Sequence, residues 1–327
     1  MEKVHYKTHT NFIILFNKFI EGKVKRLHKG LKRFGVFTSL GVLLVLIQGA
    51  VVTNTGSGEG CGQTWPLCFG QVIPIDPPPE TVIEFSHRLI AGIVGMLVIL
   101  MAIWSWRTLK HLQETKFLAI ISVFMIIFQG LLGAGAVVFG QSDLIMALHF
   151  GFSALSFASV VLLTRLAFED SNPKRHYVPI VSKSYKWFVI GTTIYSYLAI
   201  YTGAYVKHRD ATLACSGFPL CNGELIPSIF HSGIAVQLLH RGAAMILVAL
   251  LVILFIWTLK TYRSQAVLVF CSVLTIILVA GQAASGIAVV LTENSTLTIG
   301  IFHALLISLL FTVLCYMVML VLRHRQK

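Results

Sequence analysis

Charged residues are scarce in this chain, and acidic residues are the scarcest of them. Only 12% of its 327 residues are charged, with 13 Asp and Glu against 26 Lys and Arg, while 56% are hydrophobic. Soluble domains carry about 25% charged residues, so the composition excludes a water-soluble enzyme and a disordered chain. The net charge of +13 does not indicate a nucleic-acid binder, because the basic residues fall between long apolar runs instead of covering a soluble fold. The sequence therefore predicts a polytopic membrane protein.

Eight apolar runs are long enough to cross a bilayer, since a hydrocarbon core about 30 Å thick requires a helix of about 20 residues. Their hydrophobicity is continuous and does not alternate, which favours helices over β-strands. The predicted spans are residues 34–52, 84–106, 117–139, 144–168, 187–206, 234–259, 266–291 and 297–322. The predicted fold class is all-α, with eight transmembrane helices.

The basic residues set the predicted orientation of these spans. Of the 26 Lys and Arg residues, 22 lie in the N-terminal segment, in or beside the loops that follow the second, fourth and sixth spans, and in the C-terminal tail. The loops on the opposite side hold only Lys207 and Arg209. Because Lys and Arg are enriched in cytoplasmic loops, we expect a plasma-membrane protein with both termini in the cytoplasm. Residues 1–33 are expected to form a basic interfacial segment, since their apolar run is too short for a secretion signal.

The chain contains an internal repeat. Five landmarks recur at an offset of 153 or 154 residues: two loop cysteines, a His-Arg pair, a glycine in a span and a second intramembrane histidine. Each half holds four spans, an even number, so both halves enter the membrane from the same side. The repeat predicts two parallel four-helix bundles, at residues 34–168 and 187–322. A cytoplasmic linker at 169–186 would join them, and a short tail would follow at 323–327.

Four of the six cysteines lie in equivalent loops, Cys61 with Cys68 and Cys215 with Cys221. The predicted orientation places both loops outside the cytoplasm, where disulfides form and persist. A metal site is the alternative, but the loops offer few further ligands. Two disulfides, one within each loop, are the expected state.

Four of the twelve histidines lie inside predicted spans, at His87, His149, His240 and His303. A histidine in a span is costly and therefore indicates a function. All four fall in the outer half of the membrane, one pair in each bundle, which suits ligation of a haem iron by two imidazoles. The alternatives are hydrogen bonds between helices and a zinc or copper site, which is disfavoured because each pair lacks the further thiolate or carboxylate ligands that such sites use.

An arginine follows the first histidine in each half, at Arg88 and Arg241. A guanidinium there suits pairing with haem propionates at the outer interface. Extension of the side chain to lipid headgroups is an equally good interpretation.

The two halves differ at one position beside these histidines. Glu84 precedes His87 by three residues, where the second half has Gln237 before His240. Residues three apart share a helix face, so the Glu84 carboxyl would face whatever His87 binds, where it would move protons or stabilise a developing cation. The alternative is a helix-terminal acid favoured by the helix dipole. We therefore expect a reactive first half and, in the second, a fixed electron-transfer or structural haem site.

Together these residues resemble the haem A synthases of the CtaA type, from about residue 34 to the end of the chain. The resemblance rests on the segment TNTGSGEGCGQTWPLC from Thr53 to Cys68, the motif EFSHR from Glu84 to Arg88, Leu148-His149, the Cys215–Cys221 loop, His240-Arg241 and His303. It implies an eight-helix enzyme that oxidises the methyl group of haem O to a formyl group through a hydroxylated intermediate, giving haem A for terminal oxidases.

The resemblance also implies a role for each site residue. His240 and His303 would hold a haem b cofactor, His87 and His149 would flank the substrate haem, and Glu84 would be the catalytic carboxyl. The implied partners are haem O, membrane lipid, a haem O synthase in the same membrane and a quinone or other electron carrier, with no nucleic acid.

Two other functions fit the residues without the resemblance. The first is a non-catalytic di-haem b-type cytochrome for quinol electron transfer, in which both haems would be permanent. The second is a haem transporter or insertion chaperone, in which the first site would bind and release haem unchanged.

Overall fold

The fold consists of eight long helices. A computed structural model describes residues 2–170, 177–225, 227, 231–292 and 297–323, with side chains from Lys29 onward. The helices are α1 (Glu2–Thr55), α2 (Pro79–Thr108), α3 (Gln113–Val138), α4 (Asp143–Asp170), α5 (Lys183–His208), α6 (Ser232–Thr261), α7 (Ala266–Leu291) and α8 (Leu297–Leu322). A 3-10 turn at Ser57–Glu59 follows α1, and no β-strand occurs in the described ranges.

Seven of these helices are long and apolar enough to cross a membrane, counted over the described part of the chain. They are α1 from Lys29 onward, α2, α3, α4, α6, α7 and α8. The one remaining predicted span, residues 187–206, lies within α5. This helix is more polar because it carries buried hydroxyl groups at Thr192, Thr193 and Ser196. The prediction of an all-helical, multi-span membrane protein is confirmed.

The N-terminal segment and α1 form one helix. α1 continues without a break from Glu2 through residue 33, the predicted end of the interfacial segment. No proline interrupts this stretch, so each backbone N–H keeps its intrahelical acceptor. The interfacial position predicted for residues 1–33 stays a prediction.

The predicted linker at 169–186 overlaps both flanking helices. α4 extends to Asp170, and α5 begins at Lys183 after the N-cap Ser182, whose hydroxyl accepts from the Tyr185 N–H at 3.2 Å. The middle of the linker, residues 171–176, and the last four residues of the predicted tail, 324–327, lie outside the described residues.

Helix packing follows one pattern in both halves. In the first half, α1 and α3 each pack against both α2 and α4. In the second half, α5 and α7 each pack against both α6 and α8. Contacts between the halves join α4 to α5 and α8, and α1 to α8. Two buried apolar clusters result, one centred on α1–α4 and the other on α5–α8, each with a few side chains from the other half.

The loops define two ends of the molecule. The cysteine end carries residues 56–78 and 209–225, and the opposite, basic end carries residues 109–112 and 262–265. An ionic cluster at the basic end is built on Arg323, just past α8. This buried guanidinium donates to Glu114 at 2.5 Å and to Glu169 at 2.6 Å, and so links α8 to α3 and α4.

Candidate functional site

The four intramembrane histidines lie in two pairs toward the cysteine end. His87 and His149 lie on α2 and α4, two helices of the first half that contact each other. His240 on α6 and His303 on α8 line one cavity of about 440 Å³. The structure therefore brings together the residues that the repeat pairs.

In the first half, a glycine lies against each imidazole. A Cβ on Gly49 of α1 would lie 3.5 Å from Cε1 of His87, and one on Gly133 of α3 would lie 3.5 Å from Cε1 of His149. Glycine at both positions lets the neighbouring helix approach the ring at van der Waals distance. A Cβ on Gly130 of the same helix would meet no atom within 4 Å, so this glycine does not contact a histidine.

The second half repeats this arrangement with closer contacts. A Cβ on Gly203 of α5 would lie 2.8 Å from Cε1 of His240, and one on Gly286 of α7 would lie 3.1 Å from Cε1 of His303. The His240 ring would have to move to admit a methyl group on α5. The second pair is therefore more tightly enclosed than the first.

Hydroxyl groups hold the rings of the second pair. Nδ1 of His240 lies 2.9 Å from Oγ1 of Thr202, and Nδ1 of His303 lies 2.9 Å from Oγ of Ser285. The amide nitrogen of Gln282 lies 2.9 Å from Nε2 of His303. A histidine that ligates a metal through Nε2 generally has a partner on Nδ1, as these hydroxyls provide, which fixes the ring orientation. At His303 the Gln282 amide would have to leave Nε2 to admit an iron.

The first pair lacks these hydroxyl partners. Nδ1 of His87 and Nδ1 of His149 are buried without a hydrogen-bond partner in the described part of the chain. At the offset of the repeat, Thr202 corresponds to Gln48 and Ser285 to Leu132. The rings of the first pair are therefore less constrained than those of the second.

Glu84 is buried and lies at a junction between α2 and the first cysteine loop. The residue is only 4% exposed. Oε2 accepts the backbone N–H of Cys61 at 2.7 Å, and Oε1 accepts Nε of Arg88 at 3.0 Å in a salt bridge. The spacing from His87 predicts the shared helix face, whereas the contacts with the loop and with Arg88 come from the tertiary structure.

Gln237 occupies the corresponding place in the second half. It is also 4% exposed, and its amide nitrogen donates to the carbonyl of Thr212 at 3.1 Å. The amide oxygen is buried with no hydrogen-bond partner among the described residues. The two sites therefore share a buried side chain of one shape, charged in the first half and neutral in the second.

The two arginines bind the cysteine loops. Arg88 donates to the carbonyls of Thr64 at 2.7 Å and Leu67 at 3.1 Å. Arg241 donates to three carbonyls of the second loop, those of Cys215 at 3.1 Å, Gly217 at 3.0 Å and Leu220 at 3.2 Å. The sequence predicts for these arginines a contact with haem propionates or with lipid headgroups, and neither interpretation includes the bonds to the loops.

Both cysteine pairs have their sulfur atoms at bonding distance. The Cα–Cα distances are 4.5 Å for Cys61 and Cys68 and 4.6 Å for Cys215 and Cys221, within the range for disulfides. Each bridge closes a short loop. Arg88 attaches the first loop to α2, which carries His87, and Arg241 attaches the second loop to α6, which carries His240.

The second pair and its surroundings fit a haem. His240 on α6 and His303 on α8 would hold the iron of a haem here, and the cavity has a volume within the range of about 300–1,000 Å³ that is usual for small-molecule and cofactor sites. Glycine and alanine are frequent in its walls and leave space for a flat macrocycle. The described residues contain no group of three or more His, Cys, Asp or Glu arranged to hold a metal ion by itself, and a porphyrin needs only the two axial ligands from the protein.

Sequence reasoning missed Thr202, Ser285 and Gln282, which contact the ring nitrogens of the second pair. Thr202 and Ser285 differ from their counterparts in the first half, so a position-by-position comparison of the two repeats would have identified them. Gln282 corresponds to Gln129, whose amide donates instead to the backbone carbonyl of His149 at 2.8 Å. Only the structure shows this difference.

Comparison with known proteins identifies relatives over almost the whole chain. A family model described as cytochrome oxidase assembly protein (COX15-CtaA) matches residues 32–315. The chain is 80% identical to a heme A synthase of Shouchella clausii (strain KSM-K16) over 92% of the chain and 100% of that protein. It is 55% identical to a heme A synthase of Alkalihalophilus pseudofirmus over 91% of the chain and 99% of that protein, and 46% identical to one of Bacillus licheniformis over 92% and 99%.

Proposed function

The chain belongs to the COX15-CtaA family, and from this membership we propose that it makes haem A by oxidising the methyl group of haem O to a formyl group. The relatives named heme A synthase, at up to 80% identity over most of both chains, carry this proposal. The di-haem cytochrome and haem transporter alternatives are not favoured by these names.

We propose that the two halves are parallel four-helix bundles, each with one haem site. The equivalent packing of α1–α4 and α5–α8 supports this arrangement, as does the glycine beside each histidine. In it, residues 34–168 hold the substrate haem at His87 and His149, and residues 187–322 hold haem b at His240 and His303.

The second site is suited to keeping its haem. Thr202 and Ser285 hold the two ligand rings through Nδ1, and Gly203 and Gly286 allow the helices to close around them. Haem b, when bound there, supplies one-electron redox chemistry. The less constrained rings of His87 and His149 suit a site that must accept a substrate and release a product.

Glu84 is the proposed catalytic group of the first site. Its carboxylate lies one helical turn from His87, and its contacts with Cys61 N–H and Arg88 hold it in place. A fixed carboxylate at this point can accept a proton from the reacting carbon or stabilise positive charge that develops on it. Gln237 has the same shape but cannot perform this chemistry, so the reaction is assigned to the first half.

We further propose that the chain lies in the plasma membrane with both termini in the cytoplasm and the cysteine loops outside. The concentration of Lys and Arg at the basic end supports this orientation, and the two cysteine bridges fit an oxidising compartment. Most of the haem O surface is apolar, so delivery from a haem O synthase in the same membrane is the proposed route. A quinone or other carrier would accept the electrons.

Pigment analysis tests the catalytic role of Glu84. In a host that supplies haem O, extracted haems from cells with the unaltered chain should include haem A and its hydroxylated precursor. Glu84→Gln should lower haem A at least about 100-fold, the usual contribution of general acid–base catalysis, while the b-type absorption of the second site persists. The matched control is Glu80→Gln, an exposed acid one turn earlier on α2, which should leave haem A unchanged.

Each outcome has a distinct meaning. Normal haem A from Glu84→Gln would overturn the catalytic assignment and leave the family function in place. If the unaltered chain binds haem but forms no haem A, the proposed synthase function is contradicted. That result would support a function as a cytochrome or a haem transporter.

A further inference from the structure

The haem proposed for the second site brings two propionate groups, and these carboxylates need partners. Transfer of an ionised carboxylate into a partly apolar cavity is costly unless a cation or hydrogen-bond donor meets it. The cavity that contains His240 and His303 opens toward the cysteine end, where its wall includes two long basic side chains, Lys207 and Arg241.

Arg241 is already engaged by the protein. Its two terminal nitrogens donate to the carbonyls of Cys215, Gly217 and Leu220. These bonds hold the second cysteine loop to α6 and use three of the five guanidinium N–H groups, so Arg241 can turn only its remaining N–H groups toward a propionate without releasing the loop. Arg88 is engaged in the same way in the first half.

Lys207 is not engaged. It lies in the last turn of α5 and is partly exposed, and its ammonium group has neither an ion pair nor a hydrogen bond with any residue that the structure describes. Residues four apart share a helix face, so Lys207 lies on the face of Gly203, one turn nearer the cysteine end. Because Gly203 lies directly against the His240 ring, the ammonium group is placed at the mouth of the site beside that ligand.

The first half has no cation at the equivalent position. Gly203 corresponds to Gly49, which lies against His87, and Lys207 corresponds to Thr53 at the same offset of 154 residues. Thr53 itself lines the cavity of His240 and His303, so the comparison shows only that the cation at Lys207 has no counterpart in the first half.

We propose that Lys207 binds a propionate of the haem in the second site and slows the loss of that haem. This inference rests on the proposed function, in which the second haem is a retained cofactor.

The rate of haem loss tests this inference without an activity assay. The purified holoprotein in lipid nanodiscs would be mixed with excess apomyoglobin, and the loss of b-type absorption from the second site would be followed. Lys207→Met should release haem about fivefold faster, because a partly exposed ion pair contributes up to about 1 kcal/mol. Lys207→Arg should stay within about twofold of the unaltered protein, since it keeps the charge. Lys260→Met, at the last turn of α6 and the opposite end of the molecule, is the matched control and should have no effect.

Haem b dimethyl ester separates a propionate contact from a general effect on the fold. After reconstitution with this ester, which has no carboxylates, the unaltered protein and Lys207→Met should lose the pigment at the same rate. A fivefold difference that persists with the ester, or no difference with haem b itself, would overturn the inference. If Lys207→Met does not fold, Lys207→Gln takes its place. If the unaltered chain binds no haem b at His240 and His303, the proposed function fails instead.

Discussion

At the scale of single residues, glycines decide how closely a helix can approach a histidine ring. Gly203 is the closest of the four, since its Cβ would lie 2.8 Å from Cε1 of His240. Overpacking of this kind costs about 1–3 kcal/mol. The ring would have to tilt or α5 would have to move away, and either change disturbs the ligand.

Gly203→Ala should therefore weaken haem retention in the second site by about tenfold, which corresponds to about 1.4 kcal/mol. The measurement is the haem content of the purified protein after dilution and gel filtration. Gly191→Ala on the same helix is the control, because a Cβ there meets no atom within 4 Å. Equal haem contents in the two variants would show that the close approach at Gly203 does not hold the ligand ring.

At the scale of structural elements, each cysteine loop depends on an arginine of the helix that follows it. Arg241 donates to three carbonyls of the loop that Cys215 and Cys221 close. Removing these bonds raises the fraction of time that the loop is open.

We expect Arg241→Met to make the Cys215–Cys221 bridge at least about tenfold more accessible to a membrane-impermeant phosphine, because three hydrogen bonds are lost and each is worth about 0.5–1.5 kcal/mol. Mass spectrometry of the alkylated protein would follow reduction of both bridges. The Cys61–Cys68 bridge is an internal control and should react at its usual rate. Equal acceleration of both bridges would mean that the substitution loosens the whole cysteine end, and no acceleration would mean that the arginine does not stabilise the loop.

The elements themselves were largely predictable from the sequence. Continuous apolar runs fixed the helices within a few residues, and α7 and α8 begin and end where the hydropathy predicts. α1 begins much earlier than the predicted span at residue 34. The sequence changes there from basic to apolar, but nothing in it breaks the helix, so the backbone stays helical across the boundary. α5 differs in polarity, since it buries hydroxyl groups against neighbouring helices.

The site was predictable only in part. The repeat predicts the pairing of the four histidines, and the structure places His240 and His303 on one cavity, whereas their roles as ligands stay a prediction. The partners of Glu84 and Arg88 in the cysteine loop could not be deduced, because those contacts span more than 20 residues and depend on the loop conformation. The repeat offset also did not show that Gln129 and Gln282 contact different atoms of their histidines.

At the scale of the whole molecule, Arg323 links helices of both halves at the basic end. Its guanidinium is only 4% exposed and pairs with Glu114 and with Glu169, whose side chain is fully buried. Removing one partner from a buried ionic cluster is strongly destabilising because it leaves charge without compensation.

Arg323→Met should lower the free energy of unfolding by about 2–3 kcal/mol, somewhat less than the usual penalty of about 3–5 kcal/mol, because Arg165 and Tyr316 still contact Glu169. Thermal unfolding of the detergent-solubilised protein would show this as a lower midpoint temperature. Lys260→Met, an exposed cation at the same end, should leave the midpoint unchanged. An unchanged midpoint for Arg323→Met would indicate that the cluster does not hold the halves together.

The central claim is that two similar halves hold two different haems, one retained and one transient. The most direct measurement is the haem content and optical spectrum of the chain purified from cells that make haem b but no haem O. We predict one haem b per chain, retained in His87→Ala and His149→Ala and lost in His240→Ala and His303→Ala. Retention after either second-half substitution, or loss after the first-half ones, would contradict the account.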